Sequence, residues 1–206
     1  MRYASTNEAG TIMIPWQDIS YLKSGTASQQ RAYRCLSDLT IFEALAPFSP
    51  ILVSTVCLDI DIESSDLDII CFAPDSDLFS ATATTLYGAL NGFSIRKSSR
   101  GDALVVGFCF HGCEIEIYAQ NTPVTEQRAY RHLCQTARIL KYGGTPMREA
   151  IRALKMQGVK TEPAIASCLG LPNDPYAAVE GLERVSDQDL EHLVTNALRT
   201  LEKIDS

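Results

Sequence analysis

The stretch SSDLDIICF, residues 64–72, sets two carboxylates, Asp66 and Asp68, at the mouth of an unbroken apolar run. Strand side chains alternate between faces, so Asp66, Asp68 and Ile70 share one side while Leu67, Ile69 and Cys71 share the other. Pro74 stops the run, which predicts a strand over 67–73. Two like charges on one strand face repel each other unless a cation or a network compensates them. A second stretch repeats the device: CEIEIYAQ, residues 113–120, carries Glu114 and Glu116 on one face and Cys113, Ile115 and Ile117 on the other. If the two strands are neighbours at the usual spacing of about 4.8 Å, three or four carboxylates meet in one patch.

Such a patch suits a divalent cation, Mg2+ or Mn2+, with Asp66, Asp68, Glu116 and Glu114 as candidate ligands. Mg2+ takes one or two protein carboxylates together with waters and substrate phosphate oxygens. Paired ions about 3.5–4 Å apart stabilise both the attacking and the leaving oxygen of a displacement. Metal-assisted phosphoryl or nucleotidyl transfer is the chemistry this arrangement suits. The same alternation also fits an edge strand whose acids face solvent.

Outward from these strands, the chain reads in two parts. Residues 1–17 lack apolar periodicity and are expected to be loosely ordered, with Pro15 as a break. Apolar residues from Ser28 to about Leu45 follow helical spacing until Pro47 and Pro50. ILVSTVCL (51–58) has strand-like composition. Asp75 and Ser76 are caps for a helix over 75–90 that Asn91-Gly92 closes. GFSIRKSS, ALVVGFCF and CEIEIYAQ then read as three strands, with RGD and HG as turns. Five strands around one helix predict an α+β core with a mixed sheet over 18–122. After Pro123 the pattern turns helical, so 123–206 is read as a helical region packing on that core. Thr125 is a cap candidate for its first helix, which Gly143-Gly144 should end; further stops fall at Gly158 and Gly170.

Composition limits the function classes. A chain of 206 residues that is 46% apolar can bury a core, and a formal net charge of -7 argues against a duplex nucleic acid as partner. No window reaches the ~20 apolar residues of a membrane span, and the N-terminus has no signal-peptide run. Seven cysteines without a C-x-x-C pair fit reduced thiols in a cytoplasmic protein. Cys109 and Cys113 flank a turn as two arms of a hairpin, and His111 alone between them is too small a ligand set for zinc. No nucleophile elbow or Walker-type loop is present.

Ser65-Asp66-Leu67-Asp68-Ile69-Ile70 resembles the S-D-x-D-hydrophobic strand of the nucleotidyltransferase superfamily, the polymerase-beta-like fold. That superfamily carries an upstream Gly-Ser pair whose helix amides hold the triphosphate, and a third carboxylate from a neighbouring strand. The resemblance implies that Ser54 and Thr55 stand in the pair's place, that Ser65 belongs to the nucleotide site, and that Glu116, with Glu114 as alternate, is the third acid. Ser54 departs from the Gly, whose missing Cβ permits close backbone approach to phosphate.

YLKSG (21–25), QRAY (30–33), SDLDII, EIEIYAQN, PVTEQRAYRH (123–132), KTEPA (160–164) and DPYAA (174–178) are similar to a bacterial family of nucleotidyltransferase-like proteins catalogued as domain of unknown function 4269. It implies a nucleotidyltransferase-like mixed sheet with flanking helices, then a helical C-terminal half. It also implies a nucleoside triphosphate as substrate, Mg2+ as cofactor and an acceptor it does not identify. Asp66, Asp68 and Glu116 would be the catalytic acids. A non-catalytic binding module on the same fold, or a metal-dependent phosphohydrolase, fits the same residues.

Basic groups complete the candidates. Arg128, Arg131 and His132 fall at i, i+3 and i+4, and Gln127 with Arg131 at i, i+4, so this helix face is either a phosphate-steadying surface or a solvated one. Lys23, Arg31 and Lys160 are further phosphate candidates, and Asp61 within DIDIE is a further metal candidate or a solvated turn. Tyr33, Tyr118 and Tyr130 fit base stacking or core packing. His111 and His192 read as structural or solvated.

Overall fold

The computed structural model describes residues 16–99, 101–172 and 174–204, and the short pairs 5–6 and 12–13. The expected loose order of residues 1–17 falls largely outside the described residues; within it, β1 (Ser5–Thr6) pairs antiparallel with β2 (Ile12–Met13). The chain divides into two compact units, Met1–Cys57 with Ser65–Arg131, and Leu58–Ser64 with His132–Ser206.

In the first unit, α1 (Ala27–Asp38) starts from Thr26, which accepts from the Gln29 amide while Gln29 accepts from the Thr26 amide. This reciprocal cap satisfies two amide donors of the first turn. The single helix expected up to Leu45 is broken, because Thr40 takes a left-handed conformation (φ 48°) ahead of a short α2 (Ile41–Ala44). The apolar run 51–58 is also not one strand. Only β3 (Ile51–Leu52) pairs, and Thr55–Leu58 winds into a 3-10 turn. An apolar run buried on all sides carries no periodicity to tell these apart.

β4 (Leu67–Phe72), α3 (Ser76–Tyr87), β5 (Asn91–Lys97), β6 (Leu104–Phe110) and β7 (Cys113–Gln120) follow the sequence reading closely. Asp75 caps α3 through the amides of Asp77 and Leu78. Asn91-Gly92 does not end that helix; it opens β5, with a register shift between Asn91 and Ser94. His111 and Gly112, both at positive φ (46° and 76°), form the tight β6–β7 turn.

The sheet order is β3-β4-β7-β6-β5. β4 and β7 run parallel at its centre, and the other pairs are antiparallel. The expected α+β architecture, a mixed sheet followed by a helical C-terminal half, is therefore what the chain adopts. One face of the sheet is dry: Leu67, Ile69, Cys71, Val106, Phe108, Ile115 and Ile117 are all buried. α3 packs on β6 and β7, stacking Tyr87 on Phe108 at 4.7 Å between ring centroids. Burial here pushes the Cys71 thiol up to about 12, and none of the seven cysteines is in a disulfide.

α4 (Arg128–Met156) runs on into the second unit, followed there by α5 (Thr161–Leu169), α6 (Pro175–Gly181) and α7 (Asp187–Ile204). Thr125 is not the α4 cap, because 124–126 forms a 3-10 turn and Gln127 is extended before the helix. The stop expected at Gly143-Gly144 is where helical geometry breaks: Gly144 (φ 54°, ψ -149°) separates two helical segments of α4, the second carrying Pro146 near its start. Arg138 ties the second unit together. Its guanidinium donates to Asp187 Oδ1 (2.8 Å), Gln135 Oε1 (2.9 Å) and the carbonyls of Val185 (2.9 Å) and Leu182 (3.3 Å). No helix among the described residues is long and apolar enough to cross a membrane.

Candidate functional site

The wet face of the first unit's sheet carries the acids. Parallel pairing of β4 with β7 sets Asp68 directly opposite Glu116, and antiparallel pairing sets Glu116 opposite Gly107 on β6. Gly107 in turn faces Ser94 on β5, so Asp68, Glu116, Gly107 and Ser94 form one row across four strands. Asp68 and Glu116 are both half-buried, whereas Asp66 and Glu114 are exposed, Glu114 opposite Cys109. The strands expected to be neighbours are neighbours, and their register joins Asp68 with Glu116.

Glu116 already has a cation. The Arg96 guanidinium, two residues beyond Ser94 on β5, lies 2.7 Å from Glu116 Oε1. A Cβ added at Gly107 would meet Ser94 Oγ at 3.4 Å and no atom of Arg96 or Glu116. Beside Arg96, the Tyr118 hydroxyl donates to Ser98 Oγ at 2.9 Å. Arg96 sits in GFSIRKSS, where it reads as an ordinary solvent-facing strand residue.

Hard oxygen donors held opposite one another at strand spacing suit Mg2+, which needs only one or two protein carboxylates when substrate and water supply the rest. Asp68 and Glu116 fit that requirement. Among the described residues no three His, Cys, Asp or Glu side chains converge as a closed metal cage. The three- or four-carboxylate patch expected from the sequence therefore reduces to an in-register pair with one arm held by Arg96.

Ser54 has a different place from the one expected for a phosphate donor. It is 1% exposed, and its hydroxyl donates to the Asp66 carbonyl at 2.6 Å. With the Val53 amide donating to the Asp68 carbonyl at 2.8 Å, this bond fixes the approach to β4 on both sides of Leu67. Thr55 begins the 3-10 turn and Ser65 precedes the strand, both half-buried.

Of the face expected here, Arg128, Arg131 and His132 fall on α4 at the expected spacing and Gln127 does not. Gln127 is buried before the helix, and its amide donates to the carbonyls of Cys71 (2.9 Å) and Thr122 (2.8 Å), tying the end of β4 to the chain that follows β7. Arg128 and Arg131 lie in the first turn of α4, exposed and half-buried. His132 belongs to the second unit, where its Nδ1 lies 2.8 Å from Glu162. Lys23 and Arg31 are exposed in the first unit, and Lys160 is exposed at the start of α5.

A second group of cations has no counterpart in the sequence reading. Arg148, Arg152 and Lys155, at i, i+4 and i+7 on α4, donate to the carbonyls of Leu58 (3.1 Å), Asp59 (2.9 Å) and Ile60 (2.8 Å). Arg152 also meets the Asp59 carboxylate at 3.0 Å, and Asp59 takes a left-handed φ of 56°. These bonds place the DIDIE segment in the second unit. Asp61 lines a cleft there with Glu63, Glu149 and Arg152.

A search of curated proteins finds no match. Among solved structures, the chain is similar to the Cid1 poly(U) polymerase with MgGTP bound, at 14% identity and a TM-score of 0.47, over 73% of this chain and 47% of that one. The same polymerase with Mg 3'-dATP bound gives 13% identity and a TM-score of 0.48, over 78% and 52%. The polymerase core of TRAMP, an RNA surveillance complex, gives 10% identity and a TM-score of 0.47, over 87% and 60%. The chain spans about half the length of these structures. Residues 34–182 match the family described as Domain of unknown function (DUF4269), and the chain belongs to that family.

Proposed function

We propose that this protein is a nucleotidyltransferase, using a nucleoside triphosphate with Mg2+ or Mn2+ to transfer a nucleotidyl group to an acceptor. The observation that carries the reading is the register that sets Asp68 opposite Glu116 on parallel neighbouring strands. Asp68 and Glu116, with Asp66 beside them, would hold the metal, and Glu116, rather than the exposed Glu114, would also act as third carboxylate at the acceptor hydroxyl. When bound, the cation would supply charge neutralisation for the phosphate oxygens. Thr55, Ser65, Arg128 and Arg131 remain candidates for the phosphates. Ser54 would serve by holding the backbone at Asp66, since its hydroxyl is spent there. A net charge of -7 favours an acceptor other than duplex nucleic acid. Seven cysteines outside any disulfide favour a reducing, cytoplasmic setting.

A second reading is a non-catalytic module on the same fold. It is favoured by the Arg96 contact at Glu116 and by the burial of Ser54. Product analysis separates the readings. The enzyme should release pyrophosphate from one nucleoside triphosphate in the presence of Mg2+ and a suitable acceptor pool, and Asp68→Asn or Glu116→Gln should abolish it. Release of orthophosphate without acceptor would indicate hydrolysis at the same acids, and binding without any product would indicate the module.

A further inference from the structure

The carboxylate pair has a positive charge of its own beside it: Arg96, two residues beyond the row's Ser94, reaches Glu116. Arg96 and Glu116 lie on strands separated by β6, and the Arg96 side chain spans that strand to bring its guanidinium within 2.7 Å of Glu116 Oε1. The result is a pair of carboxylates, Asp68 and Glu116, one of which already has a guanidinium against it.

We infer that Arg96 is the resident counter-cation of this row, and that a divalent cation reaches Glu116 only by displacing it; this rests on the metal reading above. The Arg96 side chain is 57% exposed and that of Glu116 39%, so solvent screens the pair and both side chains have room to separate. A doubly charged ion against Asp68 and Glu116 has twice the charge and two anionic partners. It outcompetes the guanidinium, but its affinity is lowered by the work of moving Arg96 away and by repulsion from that positive charge nearby. Arg96 thus sets the metal affinity, keeping the acids stable and closed to cations until a stronger charge arrives.

The test is Mn2+ binding to the full chain without nucleotide, read as loss of the free-ion electron paramagnetic resonance signal. Removing a unit charge about 5 Å from a dication in a water-like dielectric should change affinity about tenfold. Arg96→Gln should therefore bind Mn2+ about tenfold tighter than the wild type, and Arg96→Lys, which keeps the charge, should stay near it. The gain should vanish when Arg96→Gln is combined with Asp68→Asn, a dependence that a merely structural role for Arg96 does not produce. If the wild type binds Mn2+ and Arg96→Gln binds no tighter, the inference fails while the metal reading stands. If neither binds, both fail.

Discussion

Ser54→Ala separates a structural serine from a phosphate-binding one. The substitution removes one hydroxyl from a site that is 1% exposed and leaves the Asp66 carbonyl without its 2.6 Å donor. A lost hydrogen bond with a partly stranded acceptor costs about 1–2 kcal/mol. In a chain of this size that lowers the melting temperature by about 2–8 °C. Urea unfolding of the wild type and the variant should show a lower midpoint at unchanged slope, which assigns the change to stability. Affinity for a nucleoside triphosphate with Mg2+ should fall less than for Asp68→Asn, because the serine acts only through the backbone at Asp66. A variant as stable as the wild type that nevertheless loses nucleotide binding would refute this reasoning and return Ser54 to the phosphate.

Further outcomes follow from the second unit. Arg138→Ala strands the carbonyls of Leu182 and Val185 and the Gln135 side chain, and should cost about 2–4 kcal/mol in urea unfolding. Hydrogen bonding from Arg138 holds the Asp187 carboxyl below its ordinary 3.8, so this pair stabilises the fold above that pH. The contribution is lost as pH falls through the lower folded value, and Asp187→Asn should flatten the acid side of the stability profile below pH 3.8. Lys155→Met keeps the buried stem but removes the donor to the Ile60 carbonyl; hydrogen exchange should accelerate at 58–64, with about 2 kcal/mol lost. Gly144→Ala forces a side chain onto φ 54°, ψ -149° and should cost about 1–3 kcal/mol, seen as a lower melting temperature.

The elements were legible where apolar alternation is bounded by strong punctuation. Asp75 before α3, His111-Gly112 between β6 and β7, and Pro74 after β4 mark their elements locally. Both acidic strands were readable for that reason. Their mutual register was not, because parallel neighbours are joined through a long connection and nothing in either stretch states the offset. Arg96 escaped notice because its partner lies two strands away and their approach depends on the pairing of β5, β6 and β7. Arg148, Arg152 and Lys155 look like a solvated helix face, since backbone carbonyls as partners leave no trace in residue identity. His132 shares a face with Arg128 and Arg131 by helical spacing, yet its partner Glu162 stands 30 positions along the chain. Spacing shows which side chains align on one element; it does not show what the next element brings to them.

The central claim is that Asp68 and Glu116 together serve a metal-bound nucleotide. Calorimetric titration with ATP, GTP, CTP and UTP, each with and without Mg2+, tests it on the wild type and on Asp68→Asn. At least one nucleotide should bind the wild type only in the presence of Mg2+, and Asp68→Asn should abolish this heat. Equal binding by Asp68→Asn, or no metal-dependent binding of any nucleotide by the wild type, would contradict it.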